Sequence, residues 1–149
     1  MAASQRRQEW VLRQLMNALD YMQCELQYRL TPLPDLCRQT ASQMNGCVRS
    51  LFLYLAEELE DQIAPDVQHC MNAAIAKSTG MPSAAATVVR TLGRTLGRFD
   101  LEGQIRGLEN ARQDCRREME RLTENRDVRL RSYQTLGICA GAALAILFI

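Results

Sequence analysis

Aromatic and turn-forming residues are scarce in this chain. Aromatic residues make up 5% of its 149 residues, and it has 8 glycines and 4 prolines. A sheet protein of this size usually carries runs of β-branched residues and many turn residues, and neither is present. We therefore expect no strands and predict an all-α fold of about six helices.

Residues that carry out chemistry are equally scarce. His69 is the only histidine, and no third group is spaced to orient it with the neighbouring Cys70 as a nucleophile pair. The chain has no G-x-S-x-G, H-E-x-x-H or phosphate-loop motif. We therefore predict that the protein is not an enzyme and needs no cofactor, metal ion or small-molecule substrate.

The charge balance and the cysteines exclude further classes. A formal net charge of +1 gives no general attraction to nucleic acid, so we expect no nucleic-acid partner. The six cysteines have no C-x-x-C or other metal-ligand spacing, and one of them, Cys139, lies in the uncharged C-terminal stretch. We expect the others to be reduced and to pack as small apolar residues, which are usually buried. The six cysteines are Cys24, Cys37, Cys47, Cys70, Cys115 and Cys139.

The last fourteen residues, Leu136 to Ile149, contain no charge. A membrane span needs about 20 apolar residues, so this segment is short, but residues 133–135 can form its interfacial turn. We predict a C-terminal transmembrane anchor over residues 132–149, preceded by a helical domain over residues 1–131. The alternative is a C-terminal helix buried in a globular core.

Charge sets the orientation of this anchor. Arg126, Arg129 and Arg131 precede it and no charge follows it, so the positive-inside rule places residues 1–131 in the cytoplasm. Gly137 and Gly141 stand four residues apart in the anchor, where small residues let membrane helices pack closely. We interpret them as a candidate surface for helix pairing, including pairing of copies of this chain.

Breakers and apolar spacing divide the domain into helices. Leucines and a methionine repeat every three or four residues from Leu12 to Leu30, which predicts a first helix over residues 6–30. Thr31–Pro34 end this helix. The other helices are predicted over residues 34–41, 47–62, 65–77 and 84–96, with a last one capped by Asp100 and running into the anchor.

Three arginines stand four residues apart on the fifth predicted helix: Arg90, Arg94 and Arg98. At that spacing they share one helix face. The face is either solvated, with the acidic end of the third helix answering its charge, or a binding surface for an acidic partner. Both interpretations stay open at this point.

Glycines mark the end of the same helix. The stretch from Leu92 to Asp100 contains Gly93 and Gly97 but lacks the lysine and the hydroxyl residue that directly follow the last glycine of a phosphate loop. A helix corner fits better, because the two glycines allow helices to cross closely and Gly97 can end a helix in the left-handed conformation.

Three motifs occur in a specific order: Glu25-Leu-Gln-Tyr-Arg-Leu-Thr-Pro-Leu-Pro34, then Leu92-Gly-Arg-Thr-Leu-Gly97 followed by Asp100 and Gln104, then the terminal stretch Tyr133 to Ile149. Together they closely resemble the stage III sporulation protein AB family over almost the whole chain. The residues that carry the first two motifs are Thr31, Pro32, Leu33, Leu92, Gly93, Leu96, Gly97, Asp100 and Gln104.

The resemblance implies a membrane protein of endospore-forming bacteria, located in the mother-cell membrane and needed for a channel-like assembly between mother cell and forespore. The family is similar to the cytoplasmic domain of the type II secretion F protein, a six-helix platform. The implied partners are a secretion-type ATPase similar to stage III sporulation protein AA and other stage III sporulation membrane proteins. Family members usually carry a first transmembrane helix before the domain, whereas residues 1–9 here are polar.

A function of another kind also fits the sequence, namely a tail-anchored coiled-coil tether. In that alternative the helix from Asp100 to Tyr133 is the interaction element. Its apolar residues follow a heptad-like spacing, which is typical of a coiled coil. They are Leu101, Ile105, Leu108, Cys115, Met119 and Leu122.

Overall fold

Six α-helices make up the described part of this protein. The computed structural model describes residues 2–61, 66–96 and 100–148, with side chains mainly between residues 5 and 124. The helices are α1 (Ala2–Tyr28), α2 (Leu33–Gln43), α3 (Gly46–Asp61), α4 (Val67–Lys77), α5 (Ser83–Thr95) and α6 (Leu101–Phe148). These ranges contain no strand, so the predicted all-α fold of about six helices is confirmed.

Helix α1 buries the apolar stripe that its sequence predicts, with one exception. The buried residues are Leu12, Leu15, Leu19, Met22 and Leu26. The prediction is wrong for Leu30, whose side chain is 66% exposed. Helix α1 ends at Tyr28, and the backbone N–H of Leu30 donates to the carbonyl of Glu25. Leu30 then adopts a φ of 52°, which turns the chain towards Pro32 and carries the side chain out of the core.

The middle helices begin and end within a few residues of their predicted positions. Helix α2 begins at Leu33, one residue before the predicted Pro34, and ends at Gln43. Helix α4 is capped by Asp66, whose carboxylate accepts a hydrogen bond of 3.1 Å from the backbone N–H of Gln68. The predicted end of the third helix at residue 62 and the predicted start of the fourth at residue 65 lie outside the described residues.

Helix α6 is unbroken from Leu101 to Phe148, as its sequence predicts. Asp100 caps its first turn, because Oδ1 of Asp100 accepts a hydrogen bond of 3.0 Å from the backbone N–H of Gly103. The helix runs antiparallel to α1. Nε2 of Gln23 donates to Oε1 of Glu109 at 3.2 Å, and one turn along each helix Asp20 and Arg112 form an ion pair.

The apolar stripe of α6 is buried in its middle and exposed at its start. Leu108 and Cys115 lie in the core, and Met119 and Leu122 pack against it while partly buried. Leu101, the first residue of the heptad-like spacing, is 37% exposed. In the antiparallel pairing, Leu101 lies level with the end of α1, so no helix face covers it.

All six helices contribute to one core. Helix α1 packs most extensively against α6, and α2 against α3. Gly93 lies buried where α5 crosses α4, and a Cβ atom added there would lie 3.1 Å from Cβ of Met71. This close crossing agrees with the predicted helix corner. Gly97, the second glycine of that prediction, lies outside the described residues.

The C-terminal part of α6 contains the predicted anchor, residues 132–149, and is helical as far as Phe148. Within the described ranges, none of the helices is both long enough and apolar enough to span a bilayer. The predicted packing surface of Gly137 and Gly141 lies outside the residues whose side chains are described.

Candidate interaction site where two motifs meet

The turn between α1 and α2 presents an exposed apolar surface. Oγ1 of Thr31 donates to Oε2 of Glu25 at 3.4 Å, which ties the turn back to α1. The carbonyl of Pro32 accepts the first backbone hydrogen bond of α2, from Leu36 at 2.8 Å. Between them Leu30 is held in the left-handed region and turned towards solvent, and Tyr28 is 82% exposed. A leucine in this backbone region is unusual, and such outliers are often found at functional sites.

The start of α6 forms the facing side of the site. Asp100 accepts two hydrogen bonds from this turn. Its side-chain Oδ1 accepts one from the backbone N–H of Gly103, and its backbone carbonyl accepts one of 3.0 Å from the N–H of Gln104. The cap fixes the direction in which α6 leaves Asp100. It therefore fixes the positions of Leu101 and Gln104 relative to α1.

A cleft of about 310 Å³ separates the turn from the start of α6. It is lined by Leu26, Leu30, Thr31, Pro32, Leu33, Leu101 and Gln104. Its walls are mainly apolar, with a hydroxyl and an amide as polar groups, a composition typical of a surface that receives a side chain from a partner. The cleft brings together Thr31, Pro32 and Leu33 of the first motif and Gln104 of the second, and the sequence alone did not predict this meeting.

Three other residues of the second motif lie in the core and not at the cleft. Leu92, Gly93 and Leu96 are buried in the core. They support the crossing of α5 with its neighbours and do not reach the cleft. A second glycine acts in the same way, because a Cβ added at Gly107 would lie 3.0 Å from Cβ of Thr95. Sequence reasoning missed Gly107, although its place in the middle of a helix was a signal of close packing.

Arg90 and Arg94 lie exposed on one face of α5, as their spacing predicts. Among the described side chains neither has an ion-pair partner. The acidic end of α3 pairs elsewhere, Glu58 with Lys77 at 2.5 Å and Glu60 with Arg38. Glu58 and Glu60 therefore do not pair with Arg90 or Arg94, and both interpretations of the arginine face, solvated or partner-binding, stay open. Arg98 lies outside the described residues.

The nucleophilic side chains are placed for packing. Burial raises the pKa of the Cys37 and Cys115 thiols to about 12, so both stay protonated and poorly reactive near neutral pH. Cys70 is also buried, and the neighbouring His69 is exposed. The described residues contain no group of three or more metal-binding side chains. Cys24 is exposed because it points away from the face that α1 buries. The prediction of a buried cysteine is therefore wrong for Cys24.

The protein is thus a small all-helical domain with an exposed, mainly apolar cleft and a long last helix. The family model described as stage III sporulation protein AB matches residues 1–149, and the chain belongs to this family. Membership supports a role in the stage III sporulation complex, in which the family is a structural component and not a known enzyme.

A solved structure named "Stage III sporulation protein AB (SpoIIIAB)" has the same fold. It aligns with a TM-score of 0.67 at 23% sequence identity and covers 80% of this chain and 94% of that chain. The similarity supports the six-helix architecture described above. A comparison with curated proteins found no match.

Proposed function

We propose that this protein is a non-enzymatic membrane platform of the stage III sporulation complex between mother cell and forespore. Residues 132–149 anchor it in the mother-cell membrane, and residues 1–131 face the cytoplasm. Support comes from the uncharged run at the C-terminus and from the unbroken course of α6 into it. The arginines before the anchor favour this orientation.

The partner proposed for the cytoplasmic domain is a secretion-type ATPase similar to stage III sporulation protein AA. The observation that carries this proposal is the cleft, because residues of two family motifs from distant parts of the chain line it. Helices α1 and α6 are antiparallel, so the α1–α2 turn lies at the end of the domain that is farther from residues 132–149. At that end a cytoplasmic protein can reach the cleft without meeting the bilayer.

A second surface proposed for an acidic partner is the arginine face of α5, with Arg90 and Arg94 and, by its spacing, Arg98. Arginine binds carboxylates through two parallel hydrogen bonds, which suits an acidic patch. In this proposal the anchor contacts other stage III sporulation membrane proteins. It also pairs with the anchor of a second copy of this chain through Gly137 and Gly141.

The coiled-coil tether receives less support. Leu108, Ala111 and Cys115 of α6 are buried within the domain. A helix whose apolar stripe already packs against α1 and α5 has no free stripe for a second helix. A peptide of residues 98–131 that dimerised and retained partner binding would favour the tether.

Recovery of the cognate ATPase with the full-length chain in detergent tests the platform. Leu30→Asp should lower recovery about tenfold, because it places a charge at the most exposed apolar residue of the cleft. The matched control is Leu53→Asp on α3, where the leucine is 40% exposed and lies outside the cleft. Equal recovery with both variants would reject the cleft as the ATPase site.

The arginine face is tested in the same assay with Arg90→Glu and Arg94→Glu combined. Reduced recovery with unchanged helicity would support it. Unchanged recovery would remove this face from the proposal and leave the cleft unaffected.

A further inference from the structure

We propose that the opposite end of the domain is a lipid-binding surface for anionic headgroups. This surface, the basic collar, consists of Arg6, Arg7 and Trp10 of α1 and Arg49 of α3. The inference rests on the proposed anchoring by residues 132–149 and adds a second, peripheral contact with the same membrane.

The pairing of α1 with α6 gives the position of the collar. Gln23 pairs with Glu109 and Asp20 with Arg112, and further along Glu9 and Arg13 share a cleft with Met119 and Thr123. Each step towards the start of α1 is therefore a step towards the C-terminus of α6. On this register Arg6 and Arg7 stand level with about residues 125 and 126 of α6.

The remaining distance to the bilayer is short. Ten residues of helix separate residue 126 from Leu136, or about 15 Å at 1.5 Å per residue. The headgroup layer extends about 5 to 7 Å outside the hydrocarbon core, which leaves a gap of about 10 Å. That gap is close to one Debye length at about 0.1 M salt, so the collar lies within electrostatic reach of the headgroups.

Three chain segments meet at this end and hold the collar in place. Nη2 of Arg7 donates to the carbonyl of Gly80 in the α4–α5 turn at 2.9 Å. The ring of Trp10 covers Gly46, where an added Cβ would lie 3.0 Å from Cη2 of the ring. Gly46 begins α3, and Arg49 follows in its first turn. The collar is therefore part of the folded domain and not a loose extension.

The charge and exposure of the collar fit an anionic surface. Arg6, Arg7 and Arg49 are exposed, and Trp10 is 45% exposed, which is unusual for a residue that prefers the core or a membrane interface. At this end of the α1–α6 pair, Glu9, Glu120 and Glu124 line one cleft together with Arg13 and Arg116. The sequence of residues 125–131, between this end of the domain and the proposed anchor, contains Arg126, Arg129 and Arg131 and one acidic residue, Asp127. Basic residues beside a membrane helix attract anionic lipids in this way.

The test uses the full-length chain inserted into vesicles of phosphatidylcholine, with or without phosphatidylglycerol. Trp10 is the only tryptophan, so energy transfer from Trp10 to a dansyl-labelled lipid headgroup reports the position of the collar alone. Transfer should be at least about twofold stronger with phosphatidylglycerol and should fall to the neutral-vesicle level in about 1 M salt.

Arg6→Gln combined with Arg7→Gln should abolish the preference for anionic vesicles. Arg6→Gln alone keeps the hydrogen bond of Arg7 to Gly80 and should give a smaller decrease, which separates loss of charge from loss of structure. The matched control is Arg29→Gln with Arg106→Gln, an equal loss of charge on exposed residues near the other end of the α1–α6 pair, which should leave transfer unchanged.

Equal transfer in both kinds of vesicle, with the chain resisting carbonate extraction, would overturn the collar and leave the platform intact. An equal decrease in the control variant would also overturn it, since the effect would then be one of net charge. A chain that floats with neither kind of vesicle would overturn the anchoring and the collar together.

Discussion

Gly93 and Leu30 show two different uses of a single residue, one in the packing of helices and one in the exposure of an apolar side chain. Gly93 has no side chain, and this lets α5 approach Met71 of α4 closely. Leu30 keeps its side chain in a backbone conformation that leucine rarely adopts, and the result is an exposed apolar group at the cleft. The glycine thus serves packing, whereas the leucine is retained at a cost of about 1 kcal/mol, which favours a role in recognition.

Gly93→Val is expected to lower the free energy of unfolding by about 1–3 kcal/mol, because the new side chain would overlap Met71 in a packed core. Urea unfolding followed by circular dichroism measures the change. Gly103→Ala is the control, since Gly103 borders an open cleft beside Thr95 and Arg106. It should alter stability by no more than about 0.5 kcal/mol, or increase it slightly. Equal losses in both variants would contradict the close crossing.

Helix α6 shows how the start of one element positions a site. Its cap, Asp100, belongs to the family motif and lies beside the cleft, although it does not line it. The cap orients the first turn, and with it Leu101 and Gln104. Asp100 therefore has a structural role, because its cap positions two residues that line the cleft.

Asp100→Ala should reduce the free energy of unfolding by about 1 kcal/mol, because the N–H of Gly103 loses its acceptor. Asp100→Asn should cost only a few tenths, since asparagine caps a helix nearly as well as aspartate. The same urea titration distinguishes the two variants. A loss as large in the asparagine variant as in the alanine variant would show that the charge of Asp100 matters and not the cap.

In the part of the chain whose side chains are described, the six helices share one core, to which Cys37 of α2, Cys70 of α4 and Cys115 of α6 contribute. A thiol in this core can react only when the core opens, whereas Cys24 is exposed on α1. Thiol labelling therefore reports whether the six helices open together or in parts.

Cys47 is only partly buried, so the test uses a background with Cys47→Ser and Cys139→Ser. At pH 8, Ellman's reagent should label Cys24 rapidly in the native protein. Cys37 and Cys115 should react only as urea unfolds the domain, and Cys24→Ser should remove the rapid phase. Early labelling of Cys115 alone would show instead that α6 separates from the domain first.

The raised pKa values of the buried thiols also make the stability of the fold depend on pH. The folded pKa of about 12 for Cys37 and Cys115 lies above the ordinary value near 8.5, because burial disfavours the thiolate. The contribution to stability is therefore complete below about pH 8.5 and is lost as the pH rises towards 12. Thermal melts at increasing alkaline pH should show this decline.

Local signals in the sequence suffice to predict the helices and most of the core. Proline, glycine and capping residues act on the few residues beside them, and the period of apolar residues follows from helix geometry, so α1 to α6 and the buried face of α1 were predictable. Gly93 was predictable for the same reason, because the lack of a side chain has a local consequence wherever helices cross.

Which motif residues form a surface depends on the packing of the helices and not on local sequence. Leu92, Gly93 and Leu96 lie in the core, while Thr31, Pro32, Leu33 and Gln104 line one cleft. The exposure of Leu101 was also decided at this level. The cleft and Leu101 depend on where α6 lies against α1, and Gly93 depends on where α5 crosses α4. Such packing joins residues far apart in the chain, which no local pattern encodes.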